Sequence, residues 1–143
     1  MNRFWRNGVR AILLCLFLAA IGCDPGVGQI TGSVRLRDQV LKSDEHLTWE
    51  VVFFTQDGKR HATTVGRDGQ YSLKNVPPGP VKVAVKGGPS VPDGLVPPAQ
   101  RKVRPEDEAL RNRLEKFMDR DKSGLRYTVV QGPQKKDFVL EEP

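Results

Sequence analysis

Histidine, cysteine and aromatic residues are scarce in this chain. Its 143 residues include two histidines, two cysteines, two tryptophans, two tyrosines and six phenylalanines. Few histidines leave few groups for acid–base or metal chemistry near neutral pH. His46 and His61 stand in no zinc-binding spacing such as His-x-x-Glu or His-Glu-x-x-His. A Gly-x-Ser-x-Gly elbow and a phosphate-binding loop are both absent from the sequence. These gaps argue against an enzyme, leave the catalytic residues as none, and call for no cofactor. Long apolar runs are missing too. The longest, Ala11 to Ile21, has 11 residues, well short of the roughly 20 that a spanning helix needs. The formal charge of +6 is scattered among acids rather than gathered into the basic stripe that nucleic acid binding requires.

What the N-terminus does have is a three-part pattern. Arg3, Arg6 and Arg10 precede the apolar run, and Ala20-Ile21-Gly22-Cys23 closes it. Basic, apolar and small-residue segments in that order mark a secretory signal. The final four residues resemble the lipobox of bacterial lipoproteins, with Ala20 where leucine is commoner. The resemblance implies removal of residues 1–22 as a lipoprotein signal peptide. It also implies a diacylglycerol on the Cys23 sulfur and a palmitate-type acyl chain on its new amine. Residues 23–28 become a lipidated tether, and the protein is exported and held by Cys23 to a cell-envelope membrane, on its periplasmic or surface face. Several acyl chains give stable anchoring where one is marginal. Cys15 leaves with the signal, so the exported chain has a single cysteine and no internal disulfide. With Arg3, Arg6 and Arg10 gone, 20 basic residues face 17 acidic ones, a net +3. The remaining 121 residues suffice for one modest core.

The rest reads mostly as strands. Gln29 to Leu36 alternates, with Ile30, Gly32, Val34 and Leu36 on one face. Arg37 to His46 is polar and reads as a loop. Leu47 to Phe54 places Trp49, Val51 and Phe53 on one face and Val52 and Phe54 on the other, as a central strand would. Asp57-Gly58 and Asp68-Gly69 are tight-turn signals on either side of Arg60 to Val65. Tyr71 and Leu73 alternate with polar residues, Asn75 to Pro80 is a Pro/Gly turn, and Val81, Val83 and Val85 form a further strand. Gly87 to Pro105 is proline-rich and reads as an extended loop. Glu106 to Phe117 reads as a helix, with Pro105 at its first position and Glu106, Asp107 and Glu108 at the positive end of its dipole. Leu110, Leu114, Phe117 and Met118 form a stripe expected to pack on the sheet. Leu125 to Val130 and Lys136 to Leu140 are the last two strands.

The run Asp68-Gly69-Gln70-Tyr71-Ser72-Leu73-Lys74-Asn75-Val76-Pro77-Pro78-Gly79-Pro80-Val81-Lys82-Val83-Ala84-Val85 resembles the carboxypeptidase regulatory-like domain, a transthyretin-like β-sandwich. The likeness extends to Gly28–Val34, Ser123–Leu125 and Phe138–Leu140 and departs over Pro97 to Asp121. It implies an all-β fold: an Ig-like or transthyretin-like antiparallel sandwich of about seven strands over residues 29–143, with one short helical insertion. Such a fold hosts many functions and names none. The peptidase zinc motif that often accompanies the domain is absent, as is the Tyr-Arg-Gly-Ser ending of transthyretin-like hydrolases.

Asp119, Asp121, Ser123 and Gly124 copy positions one, three, five and six of a Ca²⁺-binding loop. Val130 stands where the bidentate Glu belongs, so the expected metal ligands are none and the segment reads as a helix stop and turn. Two functions remain. One is a lipid-anchored, non-enzymatic domain with a structural or protein-interaction role in the envelope. The alternative is a small-ligand or glycan-binding module. Trp49, Phe53, Tyr71 and Phe138 alternate as core residues, which leaves Phe54 as the exposed aromatic a glycan platform would need. No ligand-binding residue is assigned by the sequence beyond that.

Overall fold

A computed structural model of the chain describes residues 26–90 and 104–141. The signal segment 1–22, Cys23 and most of the proline-rich segment lie outside the described residues. Among the described residues, nine strands and two short helices follow in the order β1 (Gly28–Leu36), β2 (Gln39–Val40), β3 (Leu47–Phe54), β4 (Arg60–Thr64), β5 (Gln70–Val76), β6 (Gly79–Pro89), α1 (Pro105–Arg113), α2 (Glu115–Met118), β7 (Arg126–Val129), β8 (Gly132–Lys135) and β9 (Phe138–Leu140). The fold is all-β in two sheets, as the alternation predicts. One sheet is built around β1, with β5 and β2 on its antiparallel partners and β8 and β9 also paired to it. The other has the order β4-β3-β6-β7, so β3 is indeed internal.

The sheets share one core. Ile30, Val34, Tyr71, Leu73 and Phe138 from the first meet Trp49, Val51, Phe53, Val83 and Val85 from the second. Three rings interlock at its centre: Phe53 lies 6.0 Å from Phe138 in an edge contact, and Tyr71 lies 6.2 Å from Phe138 in a stacked one, both favoured aromatic geometries. The turns follow their glycines, with φ of 78° at Gly69 and 134° at Gly79, values open to residues without a Cβ.

Four expectations change. The sandwich is not wholly antiparallel, because β8 and β9 run parallel to β1. The chain leaves β7 in the second sheet, crosses at Gly132, and meets β1 travelling in the same direction. Second, Gly132–Lys135, before the expected last strand, is itself the strand β8, and after a break at Lys136 and Asp137 the last strand begins only at Phe138, so the described residues hold nine strands where about seven were expected. At the break, Asp137 Oδ1 accepts from the Ser33 N–H at 2.7 Å and from the Ser33 hydroxyl at 2.9 Å. This carboxylate therefore occupies the place of a missing ladder partner, and those two hydrogen bonds hold its pKa below the usual range. Third, Arg37 to His46 contains the short strand β2, which pairs Arg35 and Leu36. Fourth, Gly87 and Gly88 continue β6 instead of opening a loop. A Cβ at Gly87 would stand 2.6 Å from the Trp49 ring, so this glycine makes room for a core tryptophan.

The helical insertion begins with Pro105 in its first turn, as expected, but breaks at Leu114 into α1 and α2. Leu114 and Phe117 join the shared core, with Leu110 and Met118 packed against it. Among the described residues no helix is long and apolar enough to cross a membrane.

Candidate functional site

Register sets the site. Phe54 is opposite Arg60 on β4 and opposite Lys82 on β6, and Lys82 is opposite Arg126 on β7. Because Phe53 faces the core, its neighbour Phe54 faces outward. The row Arg60, Phe54, Lys82, Arg126 therefore crosses the outer face of the second sheet from edge to edge. Next to this row lies a groove of about 920 Å³, bordered by the Thr55–Gly58 tip, Pro80, Tyr127 and Arg120.

The segment after α2 supplies Arg120. Asp119 Oδ1 accepts from the N–H groups of Asp121, at 2.7 Å, and Lys122. The buried Ser123 hydroxyl donates to the Val83 carbonyl at 2.6 Å. These bonds fix the turn against β6 and bring the Arg120 guanidinium 5.4 Å from the centre of the Phe54 ring, a cation–π distance. Asp121 takes Lys82 Nζ at 2.6 Å and approaches Arg120 at 3.4 Å. The hydrogen bond from Lys82 is the main reason its carboxyl lies below the ordinary range. Arg60 is matched by Glu50 at 2.9 Å. Among the described residues the Arg126 guanidinium has no hydrogen-bond or ion-pair partner. The residues lining the groove include Lys82, Arg120 and Arg126 and no acid, and Asp121 beside them offsets one charge through Lys82 and Arg120, leaving the groove with net positive charge.

The groove absorbs the suggested metal loop. Asp119 caps the turn, Asp121 pairs with Lys82, and Ser123 is committed to Val83. The three side chains serve separate partners. Phe54, the aromatic singled out in the sequence, is half-buried in the groove wall. Tyr127, not foreseen, borders the groove and donates its hydroxyl to Gln134 Oε1 at 2.7 Å. The two histidines are not brought together. His46 precedes β3 and pairs with Glu45, while His61 lies opposite Phe53 near the other end of that strand.

A second cleft, of about 430 Å³, lies between Ser43–His46, Arg67 and Arg104. Its Arg104 and Asp44 are spent on structure. Arg104 grips the buried Asp107 with two hydrogen bonds of 2.7 and 2.9 Å and reaches Asp44 at 2.8 Å. Asp44 also accepts from the Leu47 and His46 N–H groups, the chief cause of a pKa held down to about 2. That clamp ties the start of α1 to the entry of β3. The chain matches no known family model, no curated protein and no solved structure.

Proposed function

We propose that this chain is a lipid-anchored, exported, non-enzymatic interaction module of the cell envelope, with Cys23 carrying the lipid and the Phe54–Arg126 groove as its contact surface. The observation that carries this reading is the groove itself: unmatched positive charge beside the Phe54 ring on an otherwise mixed-charge domain. Such a surface favours an acidic partner. The finer fold reading, a carboxypeptidase regulatory-like and transthyretin-like sandwich, belongs to the same proposal. It is supported by Tyr71, Leu73, Val81, Val83 and Val85, which are buried as its signature requires.

Mass spectrometry of the protein extracted from membranes is the direct test. It should give an acylated Cys23 as the first residue, and an unmodified Cys23 refutes the anchor. A glycan-binding role is the second reading, favoured by the half-buried Phe54 ring in the groove wall. Groove variants that lose retention on anionic and neutral glycans alike would support it over a charge-led contact.

A further inference from the structure

The N-terminus and the groove share one pole of the sandwich. Gly28 pairs with Val76 and Gly132, and Gly79 pairs with Val129. The β3–β4 tip, the β5–β6 turn and the β7–β8 turn therefore all lie at the end where the chain enters. Entry is tight. Gly26 already abuts the Gln131 side chain, and the Val27 carbonyl accepts from the Gly132 N–H at 3.1 Å. Only Asp24 and Pro25 separate Gly26 from Cys23. Three Cα–Cα steps of 3.8 Å hold Gly26 within about 11 Å of Cys23, whatever path they take. That is about one and a half Debye lengths at physiological salt, where the Debye length is about 8 Å.

From Gly26 the groove is near. Gly28 lies against Val129 and Val130, and Thr128 and Arg126 follow on the same strand. The pole also carries apolar surface. Val27 is 48 % exposed and Val130 is 55 % exposed, two of the three exposed large hydrophobic residues among those described. Cations, an aromatic ring and aliphatic side chains gathered at one pole suit the headgroup zone of a bilayer, where apolar groups insert shallowly and basic ones meet phosphates.

We infer that the groove docks on anionic phospholipid headgroups of the same membrane that holds the Cys23 lipid. Arg120 and Arg126 take the phosphates while Val27 and Val130 enter the interface, so the domain is held pole-down rather than swinging on its tether. This rests on the lipid-anchor reading and names the partner of its groove. Each basic residue near an anionic surface contributes on the order of a fivefold preference. Reversing two should cut the docked population on the order of thirtyfold or more.

The test uses the lipidated full-length protein, its Cys23 acyl mass verified, in phosphatidylcholine vesicles with or without phosphatidylglycerol. Hydrogen exchange is followed at residues 55–59 and 128–132. Slower exchange is expected only with phosphatidylglycerol, and the protection should vanish in 0.5 M salt. Arg120→Glu with Arg126→Glu should abolish it, while Arg120→Lys with Arg126→Lys should keep most of it. Protection in neutral vesicles on adding inorganic phosphate or a soluble anionic polysaccharide would overturn the membrane assignment. Equal exchange in both vesicles, with the acyl mass present, would overturn docking and leave the anchor standing. A missing acyl mass would overturn the anchor and the docking with it.

Discussion

Gly32→Ala tests how the two sheets are joined to the returning C-terminal strands. A Cβ at Gly32 would stand 1.9 Å from the Lys136 carbonyl oxygen and 2.6 Å from its carbon. Both are backbone atoms, so no side-chain rotation relieves the clash. To reach even 3.0 Å, the shortest separation real Cβ atoms tolerate, the carbonyl must retreat by about 1.1 Å. That carbonyl accepts the buried Tyr71 hydroxyl at 2.6 Å, and the Lys136 N–H donates to Thr31 at 2.8 Å. Overpacking a filled site costs about 1–3 kcal/mol. Stranding the Tyr71 hydroxyl adds about 1–3 kcal/mol. The lower chain entropy of alanine returns about 0.4–1 kcal/mol. The net is a loss of about 1–5.6 kcal/mol, which lowers the melting temperature by roughly 4–28 °C at about 4–5 °C per kcal/mol. Gly88→Ala is the control, since nothing lies within 4 Å of its added Cβ, and it should shift stability by less than about 0.5 kcal/mol. Tyr71→Phe should cost about 1 kcal/mol alone and should shrink the effect of Gly32→Ala in the double variant, because the stranded hydroxyl is gone. Denaturant melts of all four proteins decide it. Equal midpoints for Gly32→Ala and Gly88→Ala would refute the close passage of the Lys136–Asp137 break over β1.

Leu73→Ala should cost about 2–5 kcal/mol, as for a buried large-to-small change, whereas Lys74→Ala on the exposed side should cost little; equal losses in a urea titration would contradict the alternation of β5. Acid should destabilise the domain through Asp44, whose folded pKa of about 2 lies below the ordinary 3.8. Its contribution is complete above about pH 4 and drains as pH falls toward 2, so melting temperatures between pH 5 and 2.5 should fall less steeply in Asp44→Asn, and parallel slopes would refute the clamp. Millimolar Ca²⁺ should leave the melting temperature unchanged, because Asp121 and Ser123 are engaged by Lys82 and Val83; a rise of several degrees would return those side chains to a metal site.

What the sequence revealed was what local chemistry determines. The Asp68–Val85 stretch carries its own turns and its own alternation, so Gly69, Tyr71, Leu73 and the three valines could be placed without any distant residue. Helix entry at Pro105 was legible for the same reason: a fixed φ and a run of acids act within one turn. Gly87 was misread because the cause lies elsewhere, in the Trp49 ring 38 residues earlier that a side chain there would strike. The parallel return of β8 and β9 is likewise invisible in a local pattern, since period two carries no direction. It follows only from which sheet β7 joins.

The groove shows the same limit most sharply. Phe54 alone had a legible clue, an aromatic at an outward position, and nothing in its neighbourhood names Lys82, Arg120 or Arg126 as companions. Those four come from β3, β6, β7 and the turn after α2: pairing register puts Phe54, Lys82 and Arg126 in one row, and the turn holds Arg120 over Phe54. The Ca²⁺-like spacing has a structural cause. Asp119 and Ser123 are spaced to cap a turn and to tie it to β6, and that task calls for the same short polar side chains as metal coordination. The turn is thereby rigid, and its rigidity holds Arg120 over Phe54. A residue pattern that resembles a cation site thus places a cation of its own beside the Phe54 ring.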